Sequence, residues 1–257
     1  MHHTFPATEP LDLDARLRNG DLRVSTTDTG AATVGIETSD GLDPADVEVE
    51  LTGSSLRIRV PRAYPGLFGP EPRVDVTVTV PSGSRLRGSA GSGDILVDGE
   101  FGPSRLQTGS GDVVLTSVAA TTRVDSGSGD LRVTRVVADL SVKLGSGAVT
   151  IDESRAPLAL RAGSGDISVG AAYADVSATT GSGDITVRAA SRGDLWLRTG
   201  SGNARIGVPV GVPVWTDVRS LGGVSSVLSP RGPAAQGQDH VRVHAQLGSG
   251  ALLLEDA

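Results

Sequence analysis

Residues 91–115 read GSGDILVDGEFGPSRLQTGSGDVVL and contain the same short motif twice. The motif is a Gly-Ser-Gly-Asp turn followed by two apolar residues that are separated by one position. The first glycines of six successive turns lie 18 residues apart, at 91, 109, 127, 145, 163 and 181, and a seventh turn begins at 200. A fixed period of this length is typical of repeat proteins in which each repeat stacks on the next.

Two strands are predicted in each repeat. Apolar residues alternate with other residues after each turn, as in Ile95 and Val97, and a second alternating segment precedes each turn, as at Leu106. Period two is typical of half-buried strands. Identical positions recurring every repeat predict an all-β parallel β-solenoid with about 18 residues per coil. Parallel crossovers are right-handed by default, which predicts right-handed winding; the alternative is a three-sided left-handed solenoid, which also uses 18 residues per coil.

Three regions are predicted from the register of the repeat. Residues 1–85 lack the 18-residue register and are predicted to form an N-terminal β cap continuous with the solenoid. Turn signals at Asn19-Gly20 and Gly53-Ser54 and the spacing of the strands are typical of hairpins. Residues 86–206 form the regular solenoid. Residues 207–257 form irregular coils, and Leu252–Leu254 are expected to close the last one.

The Gly-Ser-Gly turns have a structural interpretation and a functional one. The glycines permit positive φ, and an adjacent Asp or Ser can bond backbone N–H groups. The predicted turn glycines are Gly91, Gly93, Gly109, Gly111, Gly127, Gly129, Gly145, Gly147, Gly163, Gly165, Gly181, Gly183, Gly200 and Gly202. The functional alternative is calcium, with Asp94, Asp112, Asp130, Asp166 and Asp184 as candidate ligands. Calcium needs six to eight oxygens, and Ala148 interrupts the column.

Catalytic residues are not predicted, and neither is a cofactor. Of the four histidines, His240 and His244 would lie on one side of a strand, but no third zinc ligand is near them in sequence. The recurring serines of the turns have no accompanying histidine of the kind a nucleophilic triad requires. The sequence therefore predicts a protein that is not an enzyme.

Composition bounds the partners. The net charge of −7 and the absence of a cluster of Lys and Arg disfavour nucleic acid. No apolar stretch is long enough to cross a bilayer, and the first residues lack the pattern of a signal peptide. These features predict a cytoplasmic protein, with the cell surface, reached by an unrecognised route, as the alternative. A loop containing Tyr64, Leu67 and Phe68 is a candidate partner-binding tip.

Several segments together resemble one known family. They are TEPLDLDARLRNGDLRV (8–24), VDVTVTVPSGSRLRGSAGSGDILV (74–97), VWTDVRSLGGVSSVL (214–228) and VRVHAQLGSGALLLEDA (241–257). Their order and spacing are similar to those of the bacterial DUF4097 family, also labelled "putative adhesin". The resemblance implies a β-helical architecture and no catalytic residues.

A non-enzymatic β-solenoid scaffold with an unidentified protein partner is the function predicted from these observations. One alternative is an exported adhesin that binds a cell-surface polymer, and another is a calcium-binding repeat protein. The oligomeric state is left open.

Overall fold

A computed structural model describes residues 1–39, 42–60, 72–229 and 239–257. In these ranges the chain is all-β apart from one short 3₁₀ turn, Pro44–Asp46. The chain divides into two compact units, Met1–Ser128 and Gly129–Ala257, which are described separately. The all-β class with mostly parallel pairing confirms that part of the sequence prediction.

The first unit contains twelve strands among its described residues. They are β1 (His2–Pro6), β2 (Asp12–Arg16), β3 (Leu22–Thr27), β4 (Ala31–Thr38), β5 (Glu48–Thr52), β6 (Ser55–Arg59), β7 (Val74–Pro81), β8 (Arg85–Ser92), β9 (Ile95–Asp98), β10 (Ser104–Ser110), β11 (Val113–Val118) and β12 (Thr122–Ser128). One sheet has the order β1-β4-β7-β3-β9-β11, and the other has the order β12-β10-β8-β2-β6-β5.

Alternation of side chains creates the core of this unit. In β10 and β12, Leu106 lies opposite Val124 in a parallel register, and both are fully buried. Ile95 and Val113 are paired in the same way in the other sheet. The neighbouring residues point outward because successive side chains in a strand face opposite sides.

The order of the N-terminal strands in space differs from their order in sequence. β2 lies between β6 and β8 and is parallel to both, and β3 lies likewise between β7 and β9. The turn at Gly53 joins the antiparallel strands β5 and β6, as the hairpin spacing predicts. The same prediction is wrong at Asn19-Gly20, because this turn carries the chain from β2 in one sheet to β3 in the other.

The second unit contains thirteen strands among its described residues. They are β13 (Leu131–Val136), β14 (Leu140–Ser146), β15 (Val149–Ser154), β16 (Leu158–Ser164), β17 (Ile167–Ala172), β18 (Val176–Ser182), β19 (Ile185–Ala190), β20 (Gly193–Thr199), β21 (Ala204–Val208), β22 (Val214–Ser220), β23 (Val224–Ser226), β24 (Val241–Leu247) and β25 (Leu252–Asp256). One sheet has the order β13-β15-β17-β19-β21-β25-β23, and the other has the order β14-β16-β18-β20-β24-β22.

The last two strands of the chain are inserted between earlier ones. β24 pairs in parallel with β20 on one side and with β22 on the other. β25 pairs in the same way with β21 and β23. Leu252–Leu254 therefore do not close the last coil, because β23 lies outside them. The insertion leaves β22 and β23 as the outermost strands in this part of the described structure.

Candidate functional site

The glycines of the predicted turns lie where adjacent turns approach each other closely. Gly111 and Gly165 have φ values of 136° and 140°, a region that side chains with a Cβ rarely adopt. A Cβ on Gly165 would also lie 2.0 Å from the carbonyl oxygen of Gly147, and one on Gly109 would lie 2.5 Å from that of Gly91. Both glycines of a turn are therefore required by the stacking of the turns.

The aspartates of the turns bond the backbone of the following turn. The Asp94 carboxylate accepts a hydrogen bond from the N–H of Asp112 at 2.8 Å, and Asp166 accepts one from Asp184 at 2.8 Å. Asp130 does the same for Ala148, also at 2.8 Å. No group of three or more metal-binding side chains is positioned to hold an ion in the described ranges. The geometry thus supplies a structural role for each of these carboxylates.

Two further aspartates extend this arrangement in the first unit, and the sequence analysis missed them. Asp75 accepts a hydrogen bond from the Asp21 N–H at 2.7 Å, and Asp21 accepts one from the Asp94 N–H at 3.1 Å. Partial burial pushes the pKa of the Asp75 carboxyl upward. The bond from the Asp21 N–H, together with the hydrogen bond and charge of Arg73, outweighs burial and holds that pKa below its ordinary value.

The predicted partner-binding loop lies outside the described residues. Tyr64, Leu67 and Phe68 all fall between residues 61 and 71. This site stays a prediction.

An aromatic group lies on the outer side of the second unit, on strands β20, β22 and β24. Leu195 and Leu197 of β20 point into the core, and Trp196 between them points outward with 55% of its surface exposed. Its ring stacks on the imidazole of His244, with ring centres 3.9 Å apart and planes 8° from parallel. His244 Nδ1 lies 3.8 Å from an oxygen of Asp217.

A second aromatic pair lies beside the first. The ring of Trp215 on β22 meets that of His240 edge to face, with centres 4.8 Å apart. Trp215 is 47% exposed. Trp196 and Trp215 are the only two tryptophans in the sequence. The two histidines considered as zinc ligands thus each pack against a tryptophan.

A row of cationic side chains runs beside the aromatic group on the same sheet. Residues in adjacent strands are paired in register along this row, which we call the basic row. The basic row consists of Lys143, Arg161, Thr179, Arg198, Gln246 and Arg219. All four cations are exposed, and within the described ranges none of them forms an ion pair. A groove of about 250 Å³ lies between this row and the aromatic rings.

We call this surface the Trp196 face and define it by the aromatic group, the basic row and Ser177 of β18. The face was not predicted from the sequence because its residues come from strands that are distant in sequence. One signal was present: Trp196 occupies an outward position between two core leucines, where a large aromatic side chain has no core to fill.

A second groove, of about 500 Å³, lies on the outer side of the first unit. It brings together Arg57, Arg87 and Arg105, which are also distant in sequence. Acidic side chains are interspersed here, and Asp14 forms hydrogen bonds of 2.9 and 3.0 Å with Arg16. Arginines of this groove therefore lie beside carboxylates, as Arg85 does beside Asp12, whereas the four cations of the basic row form no ion pair within the described ranges.

Comparison with known proteins places the chain in a family. Residues 9–211 match the family Toastrack DUF4097, and the chain belongs to it. No protein among those with curated descriptions matches the sequence significantly.

Solved structures similar to this chain have low sequence identity. A protein described as a "putative lipid binding protein" from Parabacteroides distasonis is 11% identical, with 98% of this chain and 96% of that chain covered and a TM-score of 0.53. A "putative adhesin" from Bacteroides fragilis is 12% identical, with 99% and 96% covered and a TM-score of 0.46. The first of these similarities establishes a shared fold and nothing further.

No helix among the described residues is long and apolar enough to cross a bilayer.

Proposed function

We propose that this Toastrack protein is a non-enzymatic β-solenoid scaffold that acts by binding, and that the Trp196 face is its interaction surface. The observation that carries the proposal is the exposure of both tryptophans on one surface. The apolar core of the second unit is built from Leu, Val, Ile and Ala, so the two exposed tryptophans of this unit do not serve core packing. Exposed Trp and Arg are the residue types that contribute most to binding at interfaces.

The finer architecture belongs to the same proposal. Partners in neighbouring parallel strands, such as Leu158 and Val176, are 18 residues apart, which supports a coil of about that length. We propose right-handed winding on the general preference of parallel crossovers. The region boundaries at residues 85 and 206 stay predictions. An experimental structure that resolves the path of one coil would decide the handedness.

Two kinds of partner follow from this proposal. A cytoplasmic scaffold would bind a protein, whereas an exported adhesin would bind a polymer of the cell surface. Fractionation of the producing cells separates these alternatives, because a purely cytoplasmic protein could not act as an adhesin. The calcium-binding alternative would use carboxylates of which four, Asp94, Asp130, Asp166 and Asp184, each already accept a backbone N–H with one oxygen.

Substitution of Trp196 tests the proposed surface. The purified chain, immobilised, is incubated with envelope and cytosolic fractions of the producing cells, and retained material is compared with that retained by Trp196→Ala. Tyr173→Ala is the matched control, because it removes an exposed aromatic ring of the same unit that directly follows β17, a strand of the other sheet. Material retained by wild type and Tyr173→Ala but lost with Trp196→Ala supports the proposal. Equal retention by all three proteins contradicts it.

A further inference from the structure

The Trp196 face has the chemistry of a carbohydrate site, and we infer that its ligand is an acidic polysaccharide that lies across the strands. This inference rests on the proposed function and names the ligand of the same surface. It is carried by three features of the face: an indole ring with one open side, a polar floor beside that ring, and the basic row.

The indole ring of Trp196 is covered on one side only. His244 stacks against that side from β24, and the residue paired with Trp196 on the opposite side is Ser177 of β18. Serine is too small to cover an indole, so the second side of the ring stays accessible. The flat C–H surface of a sugar ring carries partial positive charge and packs against the electron-rich face of an aromatic ring.

Hydrogen-bonding groups lie on both sides of the ring, with Ser177 and Thr179 on β18, the open side, and Gln246 on β24, the side of His244. The hydroxyls of Ser177 and Thr179 and the amide of Gln246 line the same groove. Sugar hydroxyls both donate and accept hydrogen bonds, and hydroxyl and amide side chains can match either role. Together with the charged side chains of Arg198, Arg219 and Asp217, which also line the groove, these groups favour a sugar over an apolar ligand.

The basic row gives the site a preference for negative charge. Lys143 and Arg161 are paired in adjacent strands, and Arg198 and Arg219 are each paired with Gln246. The four cations are spread over six strands, and adjacent strands lie about 4.8 Å apart. Within the described ranges, none of the four cations is bound to a carboxylate. An extended chain with repeated carboxylates would meet several of them, and arginine binds carboxylates in a forked geometry.

Single-stranded nucleic acid also combines stacking with negative charge, but the face fits it less well. Such sites provide aromatic rings for successive bases, whereas the two rings that line this groove, Trp196 and His244, stack on each other and leave one open indole side. Asp217, which lines the groove, and the net charge of −7 oppose both kinds of polyanion alike, so the discrimination against nucleic acid rests on the stacking geometry.

Binding to defined polymers tests the inference on the purified full chain. Affinity electrophoresis at low salt would compare polygalacturonate, alginate and hyaluronate with methyl-esterified polygalacturonate, polyglutamate and poly(U) RNA. We expect binding to at least one of the acidic polysaccharides that is about tenfold tighter than binding to the neutral ester or to polyglutamate. Tighter binding to poly(U), equal binding to polyglutamate, or no binding to any acidic polysaccharide would overturn the inference.

Variants assign the binding to the face. Trp196→Ala and the double variant Arg161→Gln/Arg198→Gln are each expected to weaken polysaccharide binding about tenfold or more. Arg188→Gln, which neutralises an exposed arginine on the other sheet of the same unit, is the matched control and is expected to change it less than about twofold. Circular dichroism checks that each variant is folded. Binding that is insensitive to the first two variants would contradict the assignment.

The two proposals fail in different ways. If no acidic polysaccharide binds but retention of cellular material still depends on Trp196, the ligand class is wrong and the interaction surface stands. If neither kind of binding depends on Trp196, the surface itself is wrong.

Discussion

Aspartate recurs in the turns because each carboxylate satisfies a backbone N–H group of the next turn. The stacked turns leave an N–H group in the repeat without a backbone acceptor, and the carboxylate of the preceding turn supplies one. Ala148 still donates its N–H to the Asp130 carboxylate but has no carboxylate to accept an N–H from the next turn, so the interruption removes one bond of the column and not two. The column thus explains the sequence pattern without a bound ion.

Loss of one of these carboxylates should reduce stability. Asp166→Ala leaves the N–H of Asp184 without its acceptor, and we expect the free energy of unfolding to fall by about 1 kcal/mol. Asp166→Asn keeps an oxygen acceptor and should recover most of the loss. Asp139→Ala, at an exposed position, is the control. Urea denaturation measures all three, and equal stability of Asp166→Ala and Asp139→Ala would contradict the account.

The turn glycines should be sensitive for two separable reasons. Gly165→Ala places a Cβ both at unfavourable φ and 2.0 Å from a neighbouring carbonyl oxygen, so we expect a loss of about 2 kcal/mol or more. Gly211→Ala also has positive φ, at 87°, but its Cβ would meet nothing within 4 Å. Thermal denaturation should show a clearly smaller loss for Gly211→Ala. Similar losses would mean that the close contact has no energetic effect.

Asp75 should make stability depend on pH in the acid range. Its pKa is lower in the folded chain than in the unfolded chain, so the ionised group stabilises the fold above the ordinary aspartate pKa of about 3.9. This contribution disappears as the pH falls through the folded-state pKa. We expect Asp75→Asn to be less stable than wild type at neutral pH and the difference to shrink below about pH 4. Urea denaturation at several pH values checks this, and a difference that is constant with pH is the contrary result.

At the scale of the strands, local patterns were predictable and strand order was not. The repeat positions of Leu106 and Val124 determine a strand and its buried side, and both are as predicted. The insertion of β2 and β3 near one chain end, and of β24 and β25 near the other, depends on pairing between distant segments. Such pairing leaves no period in the sequence. The hairpin prediction at Asn19-Gly20 failed for the same reason, since a turn signal does not specify which sheet the next strand joins.

Hydrogen exchange should detect the inserted strand. β24 has a parallel neighbour on both sides, whereas among the described strands β22 has one neighbour only. We expect the backbone N–H groups of β24 to exchange slowly and those of β22 on its outer side to exchange rapidly. β16, with two neighbours, serves as the internal reference. Equal protection of β22 and β24 would show that a further segment covers the edge.

At the scale of the whole molecule, charge and aromatic residues are unevenly distributed. The chain carries a net charge of −7, yet the basic row holds four cations without a described anionic partner. Aromatic residues make up only 3% of the chain, and both tryptophans lie on the Trp196 face. The net charge calculated from the composition therefore describes the average surface but not the Trp196 face. Strand pairing brings together, on this face, cations that are far apart in the sequence.

Intrinsic fluorescence offers the most direct test of the claim that the Trp196 face binds an acidic polysaccharide. Because the chain has two tryptophans and both lie on this face, the whole tryptophan signal reports on it. Acrylamide quenching would be measured with and without saturating polygalacturonate, alginate or hyaluronate. The account predicts that at least one of them strongly reduces quenching in wild type and has little effect on Trp196→Ala. If none of the three polysaccharides changes the quenching, the claim that the Trp196 face binds an acidic polysaccharide is contradicted.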